Sequence, residues 1–145
     1  MTDDNSSEAN LSLELSKSFA AILLQDVIDG LRRAQGYKSQ GVKRDLIRTM
    51  FAAIEGSVWG FRQHVRSIAE SVDELTTIMD MAFSESTYFV SETGKLEQQT
   101  RFISLTAMIR LTARVAQQIS PDLQLDFGSK GWTEFQQAIA IRNRI

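Results

Sequence analysis

The feature that most constrains this chain is a run of apolar residues in its first half. Ile47, Phe51, Ile54, Val58, Phe61, Val65, Ile68 and Val72 follow one another at steps of 4, 3, 4, 3, 4, 3 and 4. Only a helix brings such positions onto one side, because 3.6 residues complete a turn and a strand would scatter them over both faces. The spacing predicts a long helix from about Lys43 to Glu70 with an apolar seam along most of its length. Gly56 and Gly60 lie inside it, four residues apart. A glycine costs about 1 kcal/mol relative to alanine in a helix interior, so the pair predicts a close helix crossing.

Other helices are expected on either side of this one. Ala20, Leu24, Val27 and Leu31, widened by Leu23 and Ile28, mark a first helix over 11–34 that Gly36 ends. Gly36 and Gly41 bracket a polar connection. Ser71 followed by Glu74 has the spacing of a capping box and predicts a short helix carrying Leu75, Ile78, Met79 and Ala82. Thr87, Tyr88, Phe89 and Val90 favour a strand, but no partner strand is evident, so 84–94 is expected to be a loop or a short extended piece. Leu96 to Ile119 is apolar on more than one face and is expected to be the most buried helix. Pro121 stops it, a turn-rich loop follows, and Trp132 to Ile145 forms the last helix. The expected fold class is all-α: an up-down bundle of four to five helices in a single domain over 11–145, with residues 1–10 as a disordered tail.

Several functional classes are disfavoured. The chain has 145 residues, with 43% hydrophobic and 23% charged, the composition of an ordinary globular domain. It holds no cysteine and one histidine, which removes thiolate zinc sites and histidine-rich metal sites within one chain. Asp3, Asp4 and Glu8 are the reverse of a basic signal-peptide start, and the apolar run at Phe19 to Leu24 is far too short to span a bilayer. No cofactor is indicated, since glycine-rich phosphate loops, paired aspartates and serine elbows are missing. A cytoplasmic, membrane-free protein is expected. The net charge of -2 gives no global attraction to nucleic acid, so any basic patch must come from geometry or dimerisation.

The C-terminal helix carries the chemistry. Trp132, Phe135 and Ile139 share one face, and the next residue on that line is Arg142. Asn143 falls near the side of Trp132, whereas Arg144 projects roughly opposite. A buried, unpaired guanidinium costs several kcal/mol. Arg142 therefore either snorkels to solvent at the helix end or faces a carboxylate, an interface or an anionic cleft. On the long helix, Arg48, Glu55, Trp59, Arg62 and Arg66 fall within roughly 60 degrees of one another beside the seam. They form a solvated flank in which Glu55 neighbours Arg48 and Arg62, or a supporting lane in which Glu55 pairs with Arg142. His64, between Arg62 and Arg66, sits at the boundary of the seam and is expected to be structural or solvated.

The stretch from Gly128 to Ile145, with Gly131-Trp132-Thr-Glu-Phe135 followed by Ile141-Arg142-Asn143-Arg144-Ile145, resembles the last helix of HEPN-domain proteins. Their hallmark is an arginine, a polar residue that is commonly asparagine, and a histidine after four to six intervening residues. Weaker agreement extends to Ile54–Trp59 and Phe102–Leu105. The resemblance implies a metal-independent endoribonuclease, of the toxin or phage-defence kind, in which two subunits face their motifs into a shared cleft. Arg142 would hold the scissile phosphate, Asn143 would position the motif by hydrogen bonds, and Glu55 and Arg62 would support it. The motif histidine would fall beyond Ile145, so the chain as given is expected to lack the proton-transfer step while still binding RNA weakly through phosphate. The implied partners are a second copy in a homodimer, RNA, and an antitoxin or nucleotidyltransferase-like protein. The alternative from another class is a non-catalytic helical dimerisation or adaptor module in which Arg142 serves an interface.

Overall fold

The computed structural model describes residues 3–37 and 39–144, with first-helix side chains described at 14 and from 19 onward. In chain order the elements are α1 (Asp3–Gly36), α2 (Gln40–Ser71), α3 (Thr77–Phe83), β1 (Ser86–Val90), β2 (Leu96–Thr100), α4 (Leu105–Ile119) and α5 (Lys130–Arg142). The protein is mostly helical. It forms two compact units, one of residues 1–61 with 124–145 and the other of residues 62–123. α2 contributes residues 40–61 to the first and 62–71 to the second. A helix of 32 residues is about 48 Å long, more than a single small core covers.

In the first unit, α2 has α1 on one side and α5 on the other. A side chain at Gly56 would place its Cβ 2.9 Å from Phe19 Cε1 and closer still to Leu23 Cδ1. A Cβ there would push the Leu23 and Phe19 side chains aside, so glycine lets α1 and α2 cross closely with those side chains in place. Gly30 approaches Leu46 from the α1 side at 3.2 Å on the same measure. Phe51, about 140 degrees around α2 from Gly56, is buried and stacks on Phe135 of α5 at 6.4 Å. The aromatic row continues through Trp132, 5.6 Å from Phe135, to Phe127 in an edge-on contact at 4.8 Å. Such pairs add about 0.5–1.5 kcal/mol beyond their burial. They matter for α5, none of whose residues is fully buried.

The tail expected over residues 1–10 differs from the structure, in which α1 begins at Asp3; residues 1 and 2 lie outside the described residues. No glycine or proline precedes Gly30, so nothing in the sequence stops a helix, once nucleated, from propagating back through this stretch.

The second unit departs further from the expected bundle. Its core is Val65 and Ala69 of α2, Phe83 of α3, and Met108, Thr112, Ala113, Val115 and Ala116 of α4. Thr112 is fully buried, and its hydroxyl donates to the Met108 carbonyl at 2.9 Å, so its own polar atom is paired. The capping box expected at Ser71 does not form. α2 runs to Ser71, whose hydroxyl donates back to the Ile68 carbonyl, and Thr76 caps α3 by accepting from Met79 N–H.

The segment expected to be a loop is instead a strand with a partner. β1 pairs antiparallel with β2, from Ser86↔Thr100 to Val90↔Leu96. Leu96–Thr100, expected to open the buried helix, is that second strand, and α4 starts at Leu105 behind the N-cap Ser104. Gly94 explains the hairpin: its φ of 75° is the left-handed conformation that follows a type I turn in a three-residue loop, and its N–H donates to Ser91 O at 2.8 Å. Leu, Glu and Gln in β2 lean towards helix on their own, and the pairing overrides that leaning. The architecture is therefore helical with a small hairpin rather than purely α.

Candidate functional site

Ser129 starts α5 by accepting from Trp132 N–H at 3.3 Å, and the helix holds to Arg142, with Asn143 as its C-cap. This register sets the aromatic face of α5 on α2 and brings Arg142 to its last turn, where a cation complements the carbonyl end of the helix. Arg142 Nη1 lies 2.7 Å from Glu55 Oε1. Its guanidinium carbon sits 5.2 Å from the centroid of the Phe51 ring. The sequence left two fates open for Arg142, and the geometry selects the carboxylate partner over the snorkel.

Phe51 and Glu55 are one helical turn apart on α2, so the ring and the carboxylate form a seat for one guanidinium. The seat restrains without engulfing: the side chains of Arg142 and Glu55 keep 33% and 40% of their exposure. Contact with the ring contributes about 0.5–1 kcal/mol at such a site. The ion pair itself contributes at most about 1 kcal/mol at this exposure. What the pair fixes is direction, since a planar fork held at one edge and over one face keeps its remaining donors in a set plane.

The other residues expected at the site divide. Asn143 is exposed, and its backbone N–H closes the helix on Ile139 O. Arg144 is exposed, as its place on the helix requires. Arg48 pairs with Asp45 at 3.7 Å rather than with Glu55. Arg62 belongs to the second unit and pairs with Glu85 Oε2 at 3.4 Å. The charged residues of the lane along α2 thus take four separate partners: Asp45 for Arg48, Arg142 for Glu55, Glu85 for Arg62 and Asp80 for Arg66. His64 also belongs to the second unit and is half-buried.

Sequence reasoning missed Glu85. Its carboxylate takes Arg62 on one oxygen and the Ile103 N–H, at 3.2 Å, on the other. Its carbonyl accepts from Arg101 N–H at 2.7 Å, and its φ of 50° is left-handed. One residue thus ties α2, the start of β1 and the entry to α4. Asp80 is a second such anchor, gripped at one oxygen by Arg66 Nε at 2.7 Å and Nη2 at 2.6 Å. Neither stands in a periodic pattern that would have exposed it.

Among the described residues, no group of three or more His, Asp or Glu side chains could hold a metal ion, and no helix is long and apolar enough to cross a membrane. No protein-family model matches the chain, and no curated protein or solved structure matches it either.

Proposed function

We propose that the chain is a HEPN-like RNA-binding domain of ribonuclease descent, acting as a homodimer in the cytoplasm, in which Arg142 contacts RNA phosphate. The observation that carries this reading is the seating of Arg142 by Glu55 and Phe51. An arginine so placed is oriented before any ligand arrives, and Asn143 and Arg144 stand exposed beside it. An oriented fork suits a phosphate, which two parallel N–H groups can bind at once. The single imidazole of the sequence, His64, lies in the other unit. The reading assigns this chain phosphate binding and gives His64 no part in it.

Binding of a fluorescent single-stranded RNA at low salt tests it. Arg142→Ala is expected to weaken binding about tenfold, the loss of one good charge-assisted contact. Glu55→Gln, which loosens the fork while keeping the shape of the seat, is expected to weaken binding by a smaller factor than Arg142→Ala. Unchanged affinity in Arg142→Ala, with the fold intact by circular dichroism, would remove the proposal and leave a non-catalytic helical module.

A further inference from the structure

We infer that two copies of this chain join through the outer edge of β1 to form a four-stranded antiparallel sheet in the order β2-β1-β1-β2. This deepens the homodimer part of the reading above and is independent of whether Arg142 meets RNA.

The backbone supplies the first argument. Ser91 N–H donates to Lys95 O at 2.8 Å and Arg101 N–H donates to Glu85 O at 2.7 Å. These two bonds bracket the hairpin and fix its alternation, because hydrogen-bonded and non-bonded pairs take turns along an antiparallel ladder. Thr87 and Phe89 therefore bond to Gln99 and Glu97 in the registered pairing. Ser86, Tyr88 and Val90 turn their N–H and C=O groups to the outer edge, where the described residues offer them no backbone partner.

The side chains supply the second. A two-stranded ribbon is marginal in water, and proteins protect a free edge with charges, proline or a bulge. β1 reads Ser-Thr-Tyr-Phe-Val and has none of these. Tyr88 and Val90 stay 52% and 66% exposed, and Leu96, paired with Val90, stays 76% exposed. The strand former that most needs cover is thus on the edge that most needs a partner.

Charge decides between the two edges and between kinds of occupant. Two β1 strands pairing about a two-fold axis at Tyr88 set Ser86 against Val90, Thr87 against Phe89 and Glu85 against Ser91, with no like charges opposed. About six interstrand hydrogen bonds result, two for each outward-facing pair. The same operation on β2, centred at Gln98, sets Lys95 against Arg101, a like-charge apposition that disfavours it. Pairing β1 of one copy with β2 of the next is head-to-tail and builds open fibres rather than a closed pair. The self-complementary, uncharged β1 edge therefore calls for its own copy.

The test is sedimentation equilibrium of the full chain beside Tyr88→Pro. Proline at 88 removes an outward N–H and leaves the bonds between β1 and β2 in place, so it blocks the edge without breaking the hairpin. A wild-type dimer and a monomeric Tyr88→Pro with unchanged circular dichroism are the expected results. A monomeric wild type overturns the inference, and so does a dimer that survives the substitution. Should Tyr88→Pro fail to fold, amide exchange of the wild type decides. The Tyr88 and Val90 amides should slow about tenfold as the protein is concentrated, while Thr87 and Phe89 stay slow throughout; no dependence on concentration overturns it. RNA binding is read on the same samples, so loss of the dimer and loss of the Arg142 contact are told apart.

Discussion

The Arg142–Glu55 and Arg62–Glu85 pairs behave as opposites. Arg142–Glu55 is the shorter, at 2.7 Å, yet both side chains keep a third or more of their exposure. Arg62–Glu85 is longer, at 3.4 Å, but the Arg62 side chain is only 13% exposed and Glu85 is tied to two further backbone groups. Distance alone would rank the first pair as the more important to the fold. Burial reverses the ranking, because breaking a buried pair strands the surviving charge, while an exposed one is rehydrated. The first pair holds an arginine where a ligand can reach it, and the second holds a unit together.

The largest effect should come from breaking the buried pair. Arg62→Ala leaves Glu85 in a poorly hydrated place and should cost about 3 kcal/mol in urea unfolding; a cost below about 1 kcal/mol would make this pair as dispensable as a surface one. Next is Gly56→Ala, which drives a methyl group into Leu23 and Phe19. It should cost about 2 kcal/mol by overpacking, whereas Gly36→Ala, with open space around it, should cost well under that. Glu55→Arg sharpens the comparison from the other side. It opposes Arg142 with a like charge and should cost about 1 kcal/mol, more than a change at the exposed Lys130–Glu134 pair; a cost within noise would dismiss the Arg142–Glu55 contact in solution. Thr76→Ala removes one cap and should cost about 1 kcal/mol or a little less, read as a lower thermal midpoint.

Much of the helical structure was legible because it rests on long periodic patterns. The seam from Ile47 to Val72 named α2, Gly36 and Pro121 named helix ends, and the line from Trp132 to Arg142 named the face that α5 presents. Gly56 revealed a close crossing because an unfavourable residue in a helix asks for a reason. The hairpin was hidden for the opposite cause. β2 is written in Leu, Glu and Gln, whose local leaning is helical, and only its pairing with Tyr88 and Phe89 makes it a strand. The capping box at Ser71 was a true motif in the wrong place, since Thr76 offers an equivalent oxygen nearer to the apolar residues of α3. At the candidate site, the pairing of Arg142 with Glu55 could be reasoned from the cost of burying a guanidinium. The partner of Arg62 could not, because Glu85 is remote in sequence and sits in a left-handed turn that no spacing rule marks.

The most direct test of this contrast compares Arg142→Lys with Arg62→Lys, measuring RNA affinity at low salt and urea stability on the same preparations. Lysine keeps the charge but loses the planar fork. The expected result is a crossed pattern: Arg142→Lys loses about tenfold in RNA affinity with stability nearly unchanged, and Arg62→Lys loses stability with affinity nearly unchanged. If both variants fall in stability alone, or if Arg62→Lys is the one that loses RNA, the assignment of one arginine to a ligand and the other to the fold is contradicted.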